Sequence, residues 1–176
     1  MLNDETPCIA EQYSTATTSS NLRVEADKRS SADILIASGL SNSRMGAACM
    51  RLLTEFGSAA SNRTDQKLML MRLKSLTTVV EQVKQQAIHW RMVDADALAL
   101  SVVAHWLDSS CKACHRLGFE RVPGSPALSN RMCKACKGLR DQPIPGGQAG
   151  TRLQAYMGDC ISRWRQATAK KLHGMR

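Results

Sequence analysis

Aromatic residues and long apolar runs are what this chain has least of. Aromatic side chains make up 4% of the 176 residues, against a hydrophobic fraction of 43%. Apolar contacts must therefore come mainly from Leu, Val, Ala and Met, a composition that favours helices over sheets. No apolar stretch approaches the roughly 20 residues that cross a bilayer, and residues 1–16 lack the basic start and apolar run of a signal peptide. We therefore expect a cytoplasmic protein with no membrane partner.

Catalytic patterns are missing as well. The four histidines are scattered along the chain, and the sequence contains no G-x-x-x-x-G-K loop, no G-x-S-x-G turn and no H-E-x-x-H helix. A zinc deaminase would need a Glu two residues after a ligand His, and no His here is followed by one. We therefore expect a binding protein and not an enzyme.

Acidic residues are scarce at one end of the chain only. Residues 109–176 hold 13 Lys and Arg against three acids, whereas residues 1–108 hold 11 against 12. Charge kept for solubility is one explanation, but solubility does not require all of the charge at one end. A basic segment joined to a neutral one favours a polyanionic partner such as nucleic acid.

The chain does contain two matched cysteine pairs, Cys111-Lys-Ala-Cys114 and Cys133-Lys-Ala-Cys136, with 18 residues between them. Each pair offers two thiolates from one tight turn, here called a knuckle, and two knuckles complete the four-sulfur tetrahedron of structural zinc. We predict one structural Zn²⁺ with no position open to water. Two alternatives remain: His115 replaces one Cys as a ligand, or Cys111–His115 is a C-x-x-C-H haem-attachment motif.

The apolar pattern divides the chain into four parts and predicts an all-α fold. Residues 1–42 are rich in Ser, Thr and Asn and are expected to be mostly disordered, apart from a short apolar cluster at 33–40 that docks as a helix. Residues 43–108 form a helical core, residues 109–140 the zinc module, and residues 141–176 a hinge followed by a basic helix. The predicted architecture is a small helical bundle with an inserted, zinc-finger-like module of four cysteines.

Three helices are predicted in the core. The first runs from an N-cap at Ser43 to Gly57, the second covers 64–92, and the third runs from a cap at Asp94 to Leu107. The second helix carries an a/d seam over three heptads, which fits an intramolecular bundle and also a dimeric coiled coil, so a homo-oligomer is retained as an alternative. The seam consists of Met69, Leu73, Leu76, Val80, Val83, Ala87 and Trp90.

The last helix, predicted over 151–172, has an apolar side and a basic side. Arg152, Arg163 and Lys170 fall within about 20° of one another, opposite the apolar residues. Such a face suits phosphate binding or entry into a DNA groove, and it also describes an ordinary solvated helix. Cys160 on the apolar side and Cys49 on the first helix are expected to be buried thiols. The apolar side consists of Leu153, Met157, Cys160, Ile161, Trp164 and Thr168, and the core stripe of the preceding helix consists of Leu98, Val102 and Trp106.

Cations around the knuckles form a second basic group. Lysines beside the sulfurs soften the charge of a tetrathiolate site, which is a structural explanation for Lys112 and Lys134. The arginines farther from the sulfurs are better placed to contact phosphates. Together with the helix residues, the candidate nucleic-acid-binding residues are Arg116, Arg121, Arg131, Lys134, Lys137, Arg140, Arg152, Arg163 and Lys170.

Four segments, taken in order, carry a resemblance to a known family. They are Ser43-Arg-Met-Gly-Ala-Ala-Cys49, Thr64-Asp-Gln-Lys-Leu-Met-Leu-Met71, Leu98-Ala-Leu-Ser-Val-Val-Ala-His-Trp-Leu107 and the two knuckles. This order resembles that of the late-gene antitermination proteins of lambdoid phages, the Q type. The resemblance covers residues 43–140 and, more weakly, the last helix.

The knuckles differ from the family pattern, which reads C-x-x-C-x-G-x-G. The first knuckle has Arg116 and Gly118 at the two glycine positions, and the second has Gly138 and Arg140. Because glycine lets the backbone curl over the sulfurs, we expect a looser turn at each arginine.

The resemblance implies a protein that binds double-stranded DNA at a late promoter in the bacterial host cytoplasm. Such a protein loads onto paused bacterial RNA polymerase through core and sigma contacts, and the polymerase then passes pauses and terminators. The resemblance also implies a helix-turn-helix-like DNA-binding unit made of helix 94–107, the knuckles and helix 151–172. It leaves the segment 43–92 as a candidate for polymerase contacts.

Two other functions fit the same sequence. One is a zinc-dependent DNA- or RNA-binding regulator without polymerase contact. The other is a chaperone-type module whose knuckles hold peptides. The small number of apolar residues near the knuckles counts against a peptide groove; they are Leu117, Phe119, Val122, Leu128 and Met132.

Overall fold

The computed structural model describes residues 8–20, 30–41, 43–59, 73–122, 125 and 127–174. These ranges contain six helices and one two-stranded sheet, which confirms a mostly helical chain. Within them, no helix is both long enough and apolar enough to cross a lipid bilayer. The elements are α1 (Ile9–Thr18), α2 (Ser31–Gly39), α3 (Arg44–Ala59), α4 (Leu76–His89), α5 (Ala95–Leu107), β1 (Phe119–Arg121), β2 (Leu128–Met132) and α6 (Gly147–Gly174).

The chain divides into two compact units. The first comprises Met1–Val79 and Tyr156–Arg176, and the second comprises Val80–Ala155. The first unit therefore contains α1, α2, α3 and the C-terminal part of α6. The second contains most of α4, all of α5, both strands and the N-terminal part of α6.

The apolar side of α6 follows the sequence prediction closely. All six residues expected there are buried, each with 8% or less of its surface exposed. Within the first unit, α3 packs so tightly on this side that the carbonyl of Cys160 and the Cβ of Trp164 lie where a side chain on Gly46 would begin. Ser43 directly precedes α3, as expected for an N-cap, and its carbonyl accepts from the Ala47 N–H at 3.0 Å, while its Oγ donates to the same Cys160 carbonyl at 3.1 Å. Cys49 and Cys160 are both buried, as predicted.

Helix α1 occupies a segment that was expected to be disordered, so that prediction is wrong for Ile9–Thr18. Tyr13 and Ala16 are buried, and the Tyr13 ring meets the Trp164 ring edge-to-face, with centroids 5.2 Å apart. The buried face is only two residues wide and its partner lies far along the chain, so no local pattern reveals it. The rest of the predicted disordered segment, residues 1–7 and 21–29, lies outside the described residues.

Helix α2 agrees with the short docked helix predicted from the apolar cluster at 33–40. Ser30 is its N-cap: the Ser30 Oγ accepts a hydrogen bond from the Asp33 N–H at 3.3 Å, and the Asp33 carboxylate accepts one from the Ser30 N–H at 2.9 Å. This reciprocal pair is a capping box, which satisfies two main-chain donors at the start of a helix. Ile34 and Ala37 are buried.

Helix α4 is shorter than the helix predicted over 64–92. Residues 73–75 are not helical, and α4 begins at Leu76, while residues 64–72 lie outside the described part of the chain. The Glu55 carboxylate of α3 accepts hydrogen bonds from N (2.9 Å) and Oγ (2.8 Å) of Ser75. This carboxylate satisfies a main-chain donor at the start of the helix, a contact that the periodicity of α4 alone could not reveal.

The buried stripe of α4 also differs from the predicted seam. Val79, Val83 and Ala87 are fully buried, whereas Val80 is partly exposed. Steps of four residues follow the ridges that helices use when they pack in globular proteins. Val79 therefore takes the place expected for Val80.

Helix α5 covers the predicted range without the predicted cap. Asp94 has a left-handed conformation (φ +51°) and makes no capping bond with its side chain, although its carbonyl accepts a hydrogen bond from the Leu98 N–H at 3.0 Å. Val102 is buried as expected, but Leu98 and Trp106 are partly exposed. The fully buried residues of α5 are Ala99, Val102 and Val103.

The strands and the start of α6 complete the second unit. The all-α prediction included no sheet, but strand β1 pairs antiparallel with β2, with Phe119 opposite Met132 and Arg121 opposite Leu128. Strand β2 was not predicted, because its exposed residues show no apolar alternation. Helix α6 begins at Gly147, four residues earlier than expected, so the hinge is shorter than predicted.

Candidate metal centre

Each knuckle is a compact turn closed by its own main chain. In the first, the N–H of Leu117 donates to the Cys114 carbonyl at 3.0 Å. In the second, the N–H of Leu139 donates to the Cys136 carbonyl at 2.9 Å. These two bonds span equivalent positions, so both turns present their two sulfurs in the same way.

The knuckles are joined by a reciprocal pair of hydrogen bonds. The Cys111 N–H donates to the Arg140 carbonyl at 2.9 Å, and the Cys133 N–H donates to the Gly118 carbonyl at 2.9 Å. In each case the first cysteine of one knuckle binds the eighth residue of the other. The two turns therefore meet face to face, and each depends on the other for its main-chain partners.

The four sulfurs that result are buried and close together. Their side chains are 0–4% exposed, and the four Sγ atoms all lie within 4.8 Å of one another. The Cys111–Cys133 and Cys114–Cys136 Sγ distances are 3.9 and 3.7 Å. A zinc tetrahedron with Zn–S bonds of about 2.3 Å needs sulfurs roughly 3.8 Å apart, whereas a disulfide needs about 2.05 Å. The cluster therefore fits a structural zinc site with four Cys ligands.

Hydrogen bonds from nearby main-chain groups favour the thiolate form of the cysteine sulfurs. The Gly118 N–H donates to the Cys114 Sγ at 3.3 Å. Hydrogen bonds from the Cys136 main chain lower the pKa of the Cys133 thiol to about 7, although burial acts in the opposite direction. Thiolates are the metal-binding form of cysteine, so these donors favour zinc. His115 is exposed and stands outside the four-sulfur group, which favours the all-cysteine ligand set over one that includes this His.

Both arginines at glycine positions keep the backbone conformation of glycine. Arg116 and Arg140 have φ of +66° and +69°, and their counterparts Gly138 and Gly118 have φ of +84° and +81°. The looser turn expected at each arginine stays a prediction. A side chain in this left-handed region costs about 1–2 kcal/mol per residue, and each knuckle has two such residues, because His115 and Lys137 also have φ of +50°.

The structure places all six candidate cations of the zinc module on its exposed surface. Two of them have acidic neighbours: Arg116 lies 3.5 Å from the Asp141 carboxylate and Lys134 lies 3.9 Å from the Glu120 carboxylate. Exposed ion pairs at such distances contribute little, so both cations can bind a stronger partner. In the part of the chain that the structure describes, the other four form no ion pair. The six exposed cations are Arg116, Arg121, Arg131, Lys134, Lys137 and Arg140.

Lys112 differs from these six because it is tied to the end of α5. Its ammonium contacts the Asp108 carboxylate and lies 3.0 Å from the Ser110 Oγ. Burial raises the pKa of Asp108, but hydrogen bonds from Lys112 and Ser110 outweigh it and lower the pKa to about 2. Lys112 therefore has a structural role at the end of α5, which differs from the softening of the tetrathiolate charge expected for it.

The candidate cations of α6 are exposed, but two of them make contacts within the chain. The Arg152 guanidinium lies 4.0 Å from the centre of the Trp90 ring, within the second unit. Arg163 donates to the Cys160 Sγ and to the Asp159 carbonyl, each at 3.3 Å. These contacts give both arginines a structural use that the helical pattern did not predict. Lys170 is exposed.

The zinc module exposes more apolar side chains, on its two strands and beside them, than we expected from the sequence. Met132 is 64% exposed and Leu139 is 76% exposed, and the Met132 side chain lies against Gly138. Leu117 alone among the five expected apolar residues packs against the cysteines. The exposed set is Phe119, Val122, Leu128, Met132 and Leu139.

Comparison with known proteins assigns no family to this chain, because no protein-family model, no curated protein and no solved structure matches it.

Proposed function

We propose that this chain is a zinc-stabilised DNA-binding protein that acts as a phage late-gene transcription antiterminator. The observation that carries DNA binding is the presence of six exposed cations in the module that contains the closed four-sulfur cluster. Between residues 109 and 140 the chain has seven Lys and Arg and one acid. Even after the two negative charges of a zinc tetrathiolate centre are subtracted, the module keeps a strongly positive surface.

The metal has a structural role in this proposal. With four cysteine ligands the zinc would have no open position, so it would supply folding free energy and no chemistry on a substrate. The segment between the knuckles is short, and its described residues are largely exposed and include no buried apolar side chain. Zinc would hold the cations in fixed positions, which phosphate recognition requires.

The antitermination part of the proposal rests on the resemblance in segment order. It makes α5, the knuckles and α6 a helix-turn-helix-like unit for duplex DNA at a late promoter. It assigns contacts with the core and sigma of the host RNA polymerase to segment 43–92. The exposed apolar residues of the zinc module, which include Leu139 at 76% exposure, offer a further surface for a protein partner.

Two other functions are the alternatives. A zinc-dependent regulator that binds DNA or RNA without polymerase would use the same cations. The exposed apolar residues of the zinc module favour a module that holds peptides. Salt separates the last of these from the others, because binding through several phosphates weakens steeply with salt, whereas binding in an apolar groove does not.

In vitro transcription tests the proposal directly. The template would carry the DNA that flanks the coding sequence of this protein, followed by a strong terminator, with bacterial RNA polymerase and sigma factor. We expect readthrough with the wild-type chain and with Cys8→Ser, whose exposed cysteine lies outside the cluster. We expect none with Cys114→Ser. Salt-sensitive DNA binding without readthrough would leave a DNA-binding regulator, and readthrough by Cys114→Ser would contradict the role of zinc.

A further inference from the structure

We infer that Arg116 and Arg140 form a paired site for the phosphodiester backbone of nucleic acid, and that the protein sacrifices stability to keep arginine there. The inference rests on the proposed function and deepens it by assigning phosphate contact to two particular residues. Arg116 stands at the first glycine position of the first knuckle and Arg140 at the second glycine position of the second knuckle, and both have positive φ.

The main chain brings the two arginines to the same cysteine. The Arg116 N–H donates to the Cys111 carbonyl at 3.3 Å, and the Arg140 carbonyl accepts from the Cys111 N–H at 2.9 Å. The Arg116 guanidinium also lies 3.5 Å from the carboxylate of Asp141, the residue that follows Arg140. The two arginines are therefore neighbours at the main chain of Cys111.

The fold itself does not require arginine at these positions. Glycine has the same conformation at each counterpart, with φ above +80°, and it does so without the steric cost that a Cβ brings. His115 and Lys137 also have positive φ, at equivalent positions of the two knuckles, but only the two arginines have glycine as their counterpart. Strain that the fold does not require is typical of residues that function uses. The pattern of one glycine and one arginine per knuckle thus points to a use for the side chains.

Contacts within the chain do not account for the arginines either. The Arg116–Asp141 distance is 3.5 Å, and both side chains are at least half exposed, so this pair contributes little in water. Asp141 also accepts a hydrogen bond from the Ser109 Oγ at 2.9 Å, which holds the carboxylate in place beside Arg116. Arg140 forms no ion pair with any of the described residues, and its Cγ lies near Gly118.

The chemistry of the pair fits phosphate oxygens. A guanidinium presents a planar fork of donors that matches phosphate in a bidentate way and stays charged at any physiological pH. Phosphate contacts carry no base information. We therefore expect the pair to strengthen binding to all duplex sequences equally, with a loss of about 0.9 in the salt slope for each arginine removed.

Glycine and alanine variants separate the two parts of the inference. Arg116→Gly and Arg140→Gly remove the cation and relieve the positive φ, whereas Arg116→Ala and Arg140→Ala remove the cation and keep the strain. All four should weaken DNA binding and lower the salt slope. Only the glycine variants should raise the Tm of the zinc-loaded protein, by roughly 2–4 °C each. Arg131→Gln, at an exposed strand position, is the control for loss of charge alone.

Several outcomes would overturn the inference. If the wild type binds duplex DNA in a salt-dependent way and the double glycine variant binds equally well, the paired site is wrong while the proposed function stands. If the wild type binds no duplex, the proposed function fails before any variant is made, and the site falls with it. Equal Tm for the glycine and alanine variants would remove the strain argument. Inorganic phosphate that raises the wild-type Tm, with unchanged DNA affinity in the variants, would assign the site to free phosphate.

Discussion

The main-chain N–H of Cys111 donates a hydrogen bond of 2.9 Å to the carbonyl of Arg140, which joins the first knuckle to the end of the second. The equivalent hydrogen bond runs from the Cys133 N–H to the carbonyl of Gly118 and joins the second knuckle to the end of the first. Each turn is thus completed by the other, and the metal lies where the two meet. Folding of either knuckle without its partner would leave these main-chain groups without their bonds.

The reciprocal arrangement predicts that one lost ligand disables both knuckles. Cys136→Ser should reduce bound zinc from one ion per chain to almost none, because the binding free energy of a structural zinc is the folding free energy of its module. Zinc content and NMR spectra of residues 109–140 would show the change. Cys8→Ser should keep one zinc. Loss of structure in the second knuckle alone would show that the knuckles fold independently.

The seven thiols should react in three groups. Cys8 is exposed and should react at once with a thiol reagent, while the four cluster cysteines should react only after a chelator removes zinc. Burial first, and then the neighbouring Cys160, raise the pKa of Cys49 to about 12, so its thiolate fraction near pH 8 is only about 10⁻⁴. Cys49 should therefore react only on unfolding, and Cys160 should do the same because it is buried. Mass spectrometry of the labelled protein would count each group, and early labelling of Cys49 would contradict the packing of α3 on α6.

Tyr13 should be essential for the stability of the first unit. Its ring is 3% exposed and contacts Trp164, which is fully buried. Tyr13→Ala should cost about 3 kcal/mol of unfolding free energy through the cavity and the lost aromatic pair, whereas Tyr13→Phe keeps the ring and should cost under about 1 kcal/mol. Urea unfolding would measure both. Equal stability of Tyr13→Ala and wild type would mean that α1 does not pack in solution.

Two helix glycines should respond to alanine in opposite directions. At Gly46 a new Cβ would collide with the Cys160 carbonyl and with Trp164, but at Gly158 nothing lies within 4 Å. Gly46→Ala should destabilise the protein by about 1–3 kcal/mol. Gly158→Ala should stabilise it by up to about 1 kcal/mol, since alanine is the better helix former. Thermal unfolding would compare the pair, and a stabilising Gly46→Ala would show that the two helices lie farther apart.

The sequence was most informative where a pattern is local and repeated. The two cysteine pairs predicted the four-sulfur cluster because tight turns with this spacing leave few other arrangements for the thiols. The apolar side of α6 was predicted because many residues repeat at helical spacing, from Leu153 to Thr168, and all are buried.

Features that depend on distant residues were missed. Helix α1 is held by the contact of Tyr13 with Trp164, and the start of α4 is capped by Glu55, which lies 20 residues earlier than Ser75. Strand β2 forms because it pairs with β1, although its own residues are mostly exposed. Local periodicity contains no information about such partners, so these elements could be found only from the structure.

Salt-dependent binding of a labelled DNA duplex is the most direct test of a zinc-stabilised DNA-binding surface. If about six cations contact phosphates, the wild-type affinity should fall by about 10³-fold between roughly 50 and 200 mM salt. Cys114→Ser should not bind at the lower salt, because the six cations lose their fixed positions when the knuckles unfold. Wild-type affinity that does not change with salt, or equal binding by Cys114→Ser without zinc, would contradict the account.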